Sequence, residues 1–178
     1  MSFIKYLGVM LVISVLLCPT QAVLANEKCK IIKANPASDT EYTEQYVIDV
    51  DDMPGHQIRI FEIHNFYEDP IENCEGLLEL ERISWGNSDY TNGVGQVRGY
   101  QISIFNNGDK IFSTWSGISQ KLSIPQGGAS GLFTGTITIT GGTGVYKGVR
   151  GTGVERAYFN PSTGYNEADH MVEYWVEE

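Results

Sequence analysis

The sharpest cluster of chemistry-bearing side chains is acidic. Asp49, Asp51 and Asp52 stand together just ahead of Pro54 and Gly55. Alternate residues of a strand share a face, so Asp49 and Asp51 point the same way. As a functional pair they are the candidate catalytic carboxylates. The plainer reading is a solvated strand end before a turn. A calcium loop would place acidic or amide ligands at every second position and then a glycine, and Met53 breaks that pattern. The three histidines, His56, His64 and His170, form none of the close pairs of a zinc site. Only a pairing of His64 with His170 across strands is left open. No metal and no cofactor is expected. Gly-x-Ser-x-Gly, the turn that exposes a nucleophilic serine, is absent. Cys-x-x-Cys is absent too, which removes thioredoxin-like chemistry and zinc ribbons.

Aromatic side chains offer a second kind of site. Ten tyrosines, seven phenylalanines and three tryptophans make up 11% of the chain. Their large areas suit a packed interior or a pocket wall. Tyr100, Phe112, Trp115 and Phe133 fall in predicted strands and are the candidate ligand-contacting residues. Arg150, close to Lys147, is the cation that could hold a carboxylate at a pocket mouth, unless both are surface charges on a turn. From Gln96 to Phe105, Val97, Gln101, Ser103 and Phe105 share one face. Tyr100, Ile102 and Ile104 share the other. The second set is the more apolar and is expected to face the larger core.

The elements that would position these residues are strands. Predicted runs cover 46–50, 57–65, 77–84, 96–105, 110–115, 132–140, 151–159 and 170–176. Loops rich in Gly, Asn and Pro separate them, including 87–95, 125–130 and 161–166. Asn106-Asn107-Gly108-Asp109 is the strongest hairpin signal, because Asn and Gly tolerate the positive φ of a tight turn. Regular short strands with glycine-marked turns argue for a barrel or a sandwich.

The most distinctive segment is Ile137 to Gly153, ITITGGTGVYKGVRGTG. It demands a strand, a tight turn with one helical turn, and a second strand. It is not a nucleotide loop. Lys147-Gly148 has the phosphate-loop order reversed, and the position three after Gly144 holds Lys147 where a dinucleotide site needs glycine. The pattern Ile139-Thr140-Gly141-Gly142-Thr143-Gly144-x-Tyr146-x-Gly148-x-x-Gly151 resembles the signature of the allene oxide cyclase and dirigent barrel families. The resemblance is tight over Phe133 to Gly153 and loose from Gln96 to Trp175. It implies a closed antiparallel β-barrel of about eight strands, often a homotrimer, with a largely apolar lumen. One family cyclises a fatty-acid epoxide and the other steers phenoxy-radical coupling. The cyclases carry a Glu, one spacer and an Asn near the end of their first strand. The corresponding positions here are Asp49 and Asp51, which depart from that pattern.

Residues 1–25 read as a secretory signal peptide, with Lys5, an apolar run from Tyr6 to Cys18, and a cleavage site ending in Ala25. The apolar run is too short for a membrane span, which wants about 20 residues. Residues 26–43 read as an N-terminal arm and 44–178 as the barrel domain. A secreted or periplasmic destination follows. The net charge of −10 disfavours nucleic acid and anionic membranes as partners. Cys29 and Cys74 remain after cleavage, and in an oxidising compartment an even pair suggests a disulfide.

Two functions fit this reading. One is a barrel that binds a hydrophobic small molecule or a partner without catalysis. The other is an isomerase or cyclase acting on a hydrophobic substrate, with Asp49 as its polar group. An open apolar cavity ringed by Asp49 or a histidine would favour the enzyme, and a lumen filled by side chains would leave only the outer surface for function, including a structural role through trimer packing.

Overall fold

The computed structural model describes residues 28–177. The expected signal peptide lies outside the described residues. The strands are β1 (Cys29–Asn35), β2 (Thr40–Asp49), β3 (His56–Phe66), β4 (Glu79–Thr91), β5 (Val94–Phe105), β6 (Lys110–Gln126), β7 (Ala129–Gly142), β8 (Val149–Asn160) and β9 (Tyr165–Val176). Single 3-10 turns occupy Ala37–Asp39 and Gly144–Tyr146. The strands form one sheet in the order β1-β9-β8-β7-β6-β5-β4-β3-β2, and every pairing is antiparallel.

That order forces the sheet to curl. β1 and β2 are its two margins, yet only residues 36–39 separate them in the chain. Laid flat, nine strands would hold the margins about 38 Å apart. The link from Asn35 to Thr40 can span about 18 Å at most. The margins must therefore come round to meet.

The eight-stranded closed barrel expected from the sequence is corrected in two respects: nine strands form, and the backbone ladder does not close. Pro36 is the physical reason. It has no N–H to donate, so the first strand breaks there into β1 and β2. Its carbonyl instead accepts from the Asp39 amide (3.1 Å) and the Thr40 hydroxyl (3.0 Å). Side chains bridge the seam. Asn166 Nδ2 donates to Tyr42 Oη at 3.1 Å, and Gln45 Nε2 donates to the Pro161 carbonyl at 3.3 Å. Residues 29–35, expected within an arm, pair with β9 along their whole length.

Segment 87–95, expected as a loop, is also strand. Ser88 and Tyr90 are buried while Asn87 and Asp89 are exposed, so the alternation continues to the hairpin tip. The turn is Asn92-Gly93, both with positive φ (54° and 81°), the two-residue geometry that matches strand twist. Its polar composition reflects an outward face and not a loop.

The glycine-rich signature closes one end of the lumen. Gly144 adopts φ +55, and a Cβ there would lie 1.8 Å from the Asp109 carboxylate. That carboxylate accepts from the Val145 amide (3.1 Å), and Thr143 Oγ accepts from the Lys110 amide (2.9 Å). The signature thus docks on the 106–109 hairpin and drives Tyr146 inward. Tyr146 is fully buried, with its ring 4.6 Å from Phe105 and 6.4 Å from Tyr174. Around it packs a cluster that includes Ile111, Ile139 and Val149. A second cluster, with Tyr90, Val97, Trp115, Phe133 and Phe159, packs the other part of the lumen.

Candidate lumenal site

Between the two apolar clusters the lumen is ionic. A bulge between Glu79 and Glu81 resets the alternation of β4, so Glu79 and Arg82 both face inward. Arg82 Nε donates to Glu79 Oε1 (2.9 Å) and Arg82 Nη2 to Glu79 Oε2 (3.0 Å), a two-pronged pair. From β1, Lys33 Nζ donates to Glu79 Oε2 at 3.1 Å and lies 3.0 Å from the centre of the Tyr67 ring. From β9, His170 Nε2 accepts from Arg82 Nη2 at 3.1 Å.

Burial and neighbouring charge set the protonation of this cluster. Burial alone would raise the Glu79 carboxyl, but Arg82 and then Lys33 hold it down at about 2. Burial lowers the Lys33 ammonium to about 8, assisted by Arg82 and opposed by Glu79. Burial and then Arg82 push His170 well below its usual range, so the ring is neutral and free to accept.

Glu155 stands apart from these paired groups. It lies on the inner face of β8, opposite His170 on β9 and Gly135 on β7. Among the described residues nothing donates a hydrogen bond to its carboxyl. Burial raises its pKa and only the more distant Arg82 charge opposes this. Glu155 is half-buried and lines a cavity, where partial burial still disfavours the ionised form.

Glu155 faces a cavity of about 70 Å³. Phe61, Trp115, Phe133 and Phe159 form its apolar wall. The Trp115 and Phe133 rings meet edge to face at 5.6 Å, and Phe61 lies 6.3 Å from Trp115. Arg59 and Arg82 supply cations, and Asn35 Oδ1 is a buried acceptor without a donor among the described residues. On the same measure one water needs roughly 10–15 Å³, so the space suits several waters or one small ring. Gln45, Arg59 and Pro161 mark its rim. A second cavity, about 50 Å³, lies beyond Arg82 and Gln101, which line both. Ile71 and Asn73, in the loop 67–78, line that second cavity. Cys74 in the same loop is bonded to Cys29 of β1, with Cα atoms 5.9 Å apart.

Of the residues singled out in the sequence, Trp115 and Phe133 meet in the first cavity wall. Tyr100 and Phe112 are on the outer face, and Tyr100 is 68% exposed. The inner face of β5 carries Val97, Gln101, Ser103 and Phe105. The face assignment expected for this strand is therefore reversed. A lumen built around Arg82 and Glu79 takes the hydroxyl and amide side chains, which leaves the apolar set outside. Asp49 and Asp51 are exposed at the β2–β3 hairpin, where Asp49 accepts from Gln57 Nε2 (2.7 Å). Arg150 Nη1 donates to the Thr140 and Val149 carbonyls, so it ties a strand end. His64 lies near Glu62 and Glu81, away from His170, and no metal-holding cluster occurs among the described residues. Glu155 was not singled out. Its signal is one acid in the alternating set Gly151, Gly153, Glu155, Ala157, Phe159, otherwise small or apolar.

The fold and the lumen define an all-β, barrel-like sheet with a polar centre. No protein-family model matches the chain, and no curated protein matches it. Among solved structures it is similar to a pterocarpan synthase dirigent protein, at 13% identity over 98% of this chain and 100% of that one, with a TM-score of 0.48.

Proposed function

We propose that this protein binds a compact, ring-bearing small molecule inside the lumen, beside Glu155. The observation that carries this reading is a half-buried carboxyl, without a hydrogen-bond partner among the described residues, against an aromatic wall. Buried polar groups are otherwise hydrogen-bonded, and apolar pockets with a few convergent polar groups are the usual form of ligand sites. The unpaired Asn35 Oδ1 supports the same reading. The disulfide between Cys29 and Cys74 is compatible with an extracellular or periplasmic protein. No helix among the described residues is long and apolar enough to cross a membrane.

Calorimetric titration of the full chain with single-ring aromatics tests this. Ala157 lines the cavity and is buried. Ala157→Phe is expected to fill the space and abolish binding. Its folding cost is about 1–3 kcal/mol, typical of overpacking. Unchanged binding in a folded Ala157→Phe variant defeats the proposal.

Glu155 also favours a second reading. A carboxyl whose pKa is raised by burial holds its proton to higher pH than an ordinary one and can pass it to a substrate, which moves the candidate polar group of an isomerase from Asp49 to Glu155. An isomerisation that survives Glu155→Gln at full rate would remove it.

A further inference from the structure

The lumen holds more cations than acids. Lys33, Arg59 and Arg82 line its cavities, against Glu79 and Glu155. Glu79 is already engaged by Arg82 and Lys33. Among the described residues Arg59 donates only to the Gln45 side chain, at 3.3 Å. This cationic interior sits in a chain whose net charge is −10. Only Glu155 is left to offset the excess, from a position without a direct ion pair. An incoming carboxylate would compete with an ionised Glu155 for the same cations. In a cavity of about 70 Å³ the two anions repel strongly, so one must be neutral.

We infer that the lumen's ligand is a compact organic monoanion, a ring-bearing carboxylate, and that its binding draws one proton from solvent onto Glu155. The inference rests on the binding reading above. The ring packs against Trp115 and Phe133, and the carboxylate is drawn to Arg59 and Arg82. The proton bonds to a Glu155 oxygen, and no other bond changes.

The groups facing Glu155 leave it as the proton acceptor. Of its two flanking strands, β9 brings His170 and β7 brings only Gly135 at the paired position. Across the lumen are Lys33, Tyr42, Arg59, Tyr67, Glu79, Arg82 and Tyr90. Burial raises Tyr42 and Tyr67 further above neutrality, and the Glu79 carboxyl stays ionised near 2. Lys33, near 8, takes part only in more basic solution.

The test is calorimetry on the full chain with benzoate and with its neutral analogue benzamide, in two buffers of different ionisation heat. Benzoate is expected to bind more tightly than benzamide and to take up a proton. Its affinity should fall as pH rises, by up to about tenfold per unit, the limit for one coupled proton. Benzamide affinity should be flat. In Glu155→Gln, benzoate affinity should be flat and close to the acid-side value of the unaltered chain. Arg59→Gln should weaken benzoate more than it weakens benzamide. Benzamide binding as tightly as benzoate throughout, or benzoate binding without proton uptake, overturns this inference and leaves the binding reading standing. Failure of both ligands to bind overturns the two together.

Discussion

At the scale of single residues, the ionisable groups divide by whether they have a partner. His56 has two. Its Nδ1 lies 2.5 Å from Asp52 and its Nε2 2.8 Å from Asp89, which joins the β2–β3 turn to β4. The bonds from Asp52 and then Asp89 raise its pKa above 6.5. The sign follows from the raised value. The contribution is complete below the unfolded pKa and is lost as pH rises through the folded one. Proton titration of the His56 ring by NMR should give a midpoint above 6.5, and Asp89→Asn should lower it. A midpoint at or below 6.5 in the unaltered protein would contradict the latch. Glu155 is the opposite case, a titratable group with no bond among the described residues, and Asp49 is a third, an exposed acid at a turn.

At the scale of elements, glycines and aromatics are paired across strands. The Trp115 indole lies over β4 and β5 where Gly86 and Gly99 stand. A Cβ at Gly99 would lie 2.5 Å from the ring, and one at Gly86 2.8 Å. The glycines of the central strands therefore make room for the lumen's wall. The loop 67–78 acts on the other end. Asn73 Nδ2 donates to Tyr146 Oη, Tyr174 Oη donates to Glu75, and the disulfide holds Cys74 to β1. Closing a separation of 45 residues stabilises by about 4 kcal/mol in the chain-entropy model. The double variant Cys29→Ser, Cys74→Ser should lose roughly that amount in denaturant unfolding. Its fastest-exchanging amides should map to 67–78, because this loop has few backbone bonds of its own. Uniform exchange across the sheet would contradict a local clasp.

At the scale of the whole molecule, the ionic centre makes stability sensitive to acid. His170 has a lowered pKa, so the unfolded chain binds its proton first as pH falls below about 6.5, and stability declines. Glu79 adds a second loss between its ordinary carboxylate range and about 2. Glu155 works the other way, since its raised pKa favours the folded protein as it protonates. Thermal melts are expected to fall from about pH 6.5 downward. His170→Asn should flatten the first part of that fall, and Glu155→Gln should raise the melting temperature most at neutral pH. A melting temperature that is flat from neutral to mildly acidic solution would contradict this account of the lumen.

Much of the fold was legible because its signals are local. The Asn107-Gly108 turn, alternating strands and the Gly-Gly-Thr-Gly corner depend on residues a few positions apart, and they marked strands, a hairpin and the 3-10 turn. The even pair of cysteines was legible from compartment and count. The inner and outer faces were not. Polarity normally points a strand's apolar face inward, and β5 does the reverse because the curled sheet encloses Arg82, Glu79 and Lys33, which arrive from β4 and β1. The break at Pro36 was visible as a residue but not as the place where the two margins of the sheet meet. The candidate site was legible in Trp115 and Phe133 alone. Glu155 gained its meaning from burial, and burial is set by every strand that wraps around it. The sequence determined which segments extend and turn. Only the tertiary structure decided which charges share the lumen and which one lacks a partner, because a carboxyl's pairing depends on what reaches it across space.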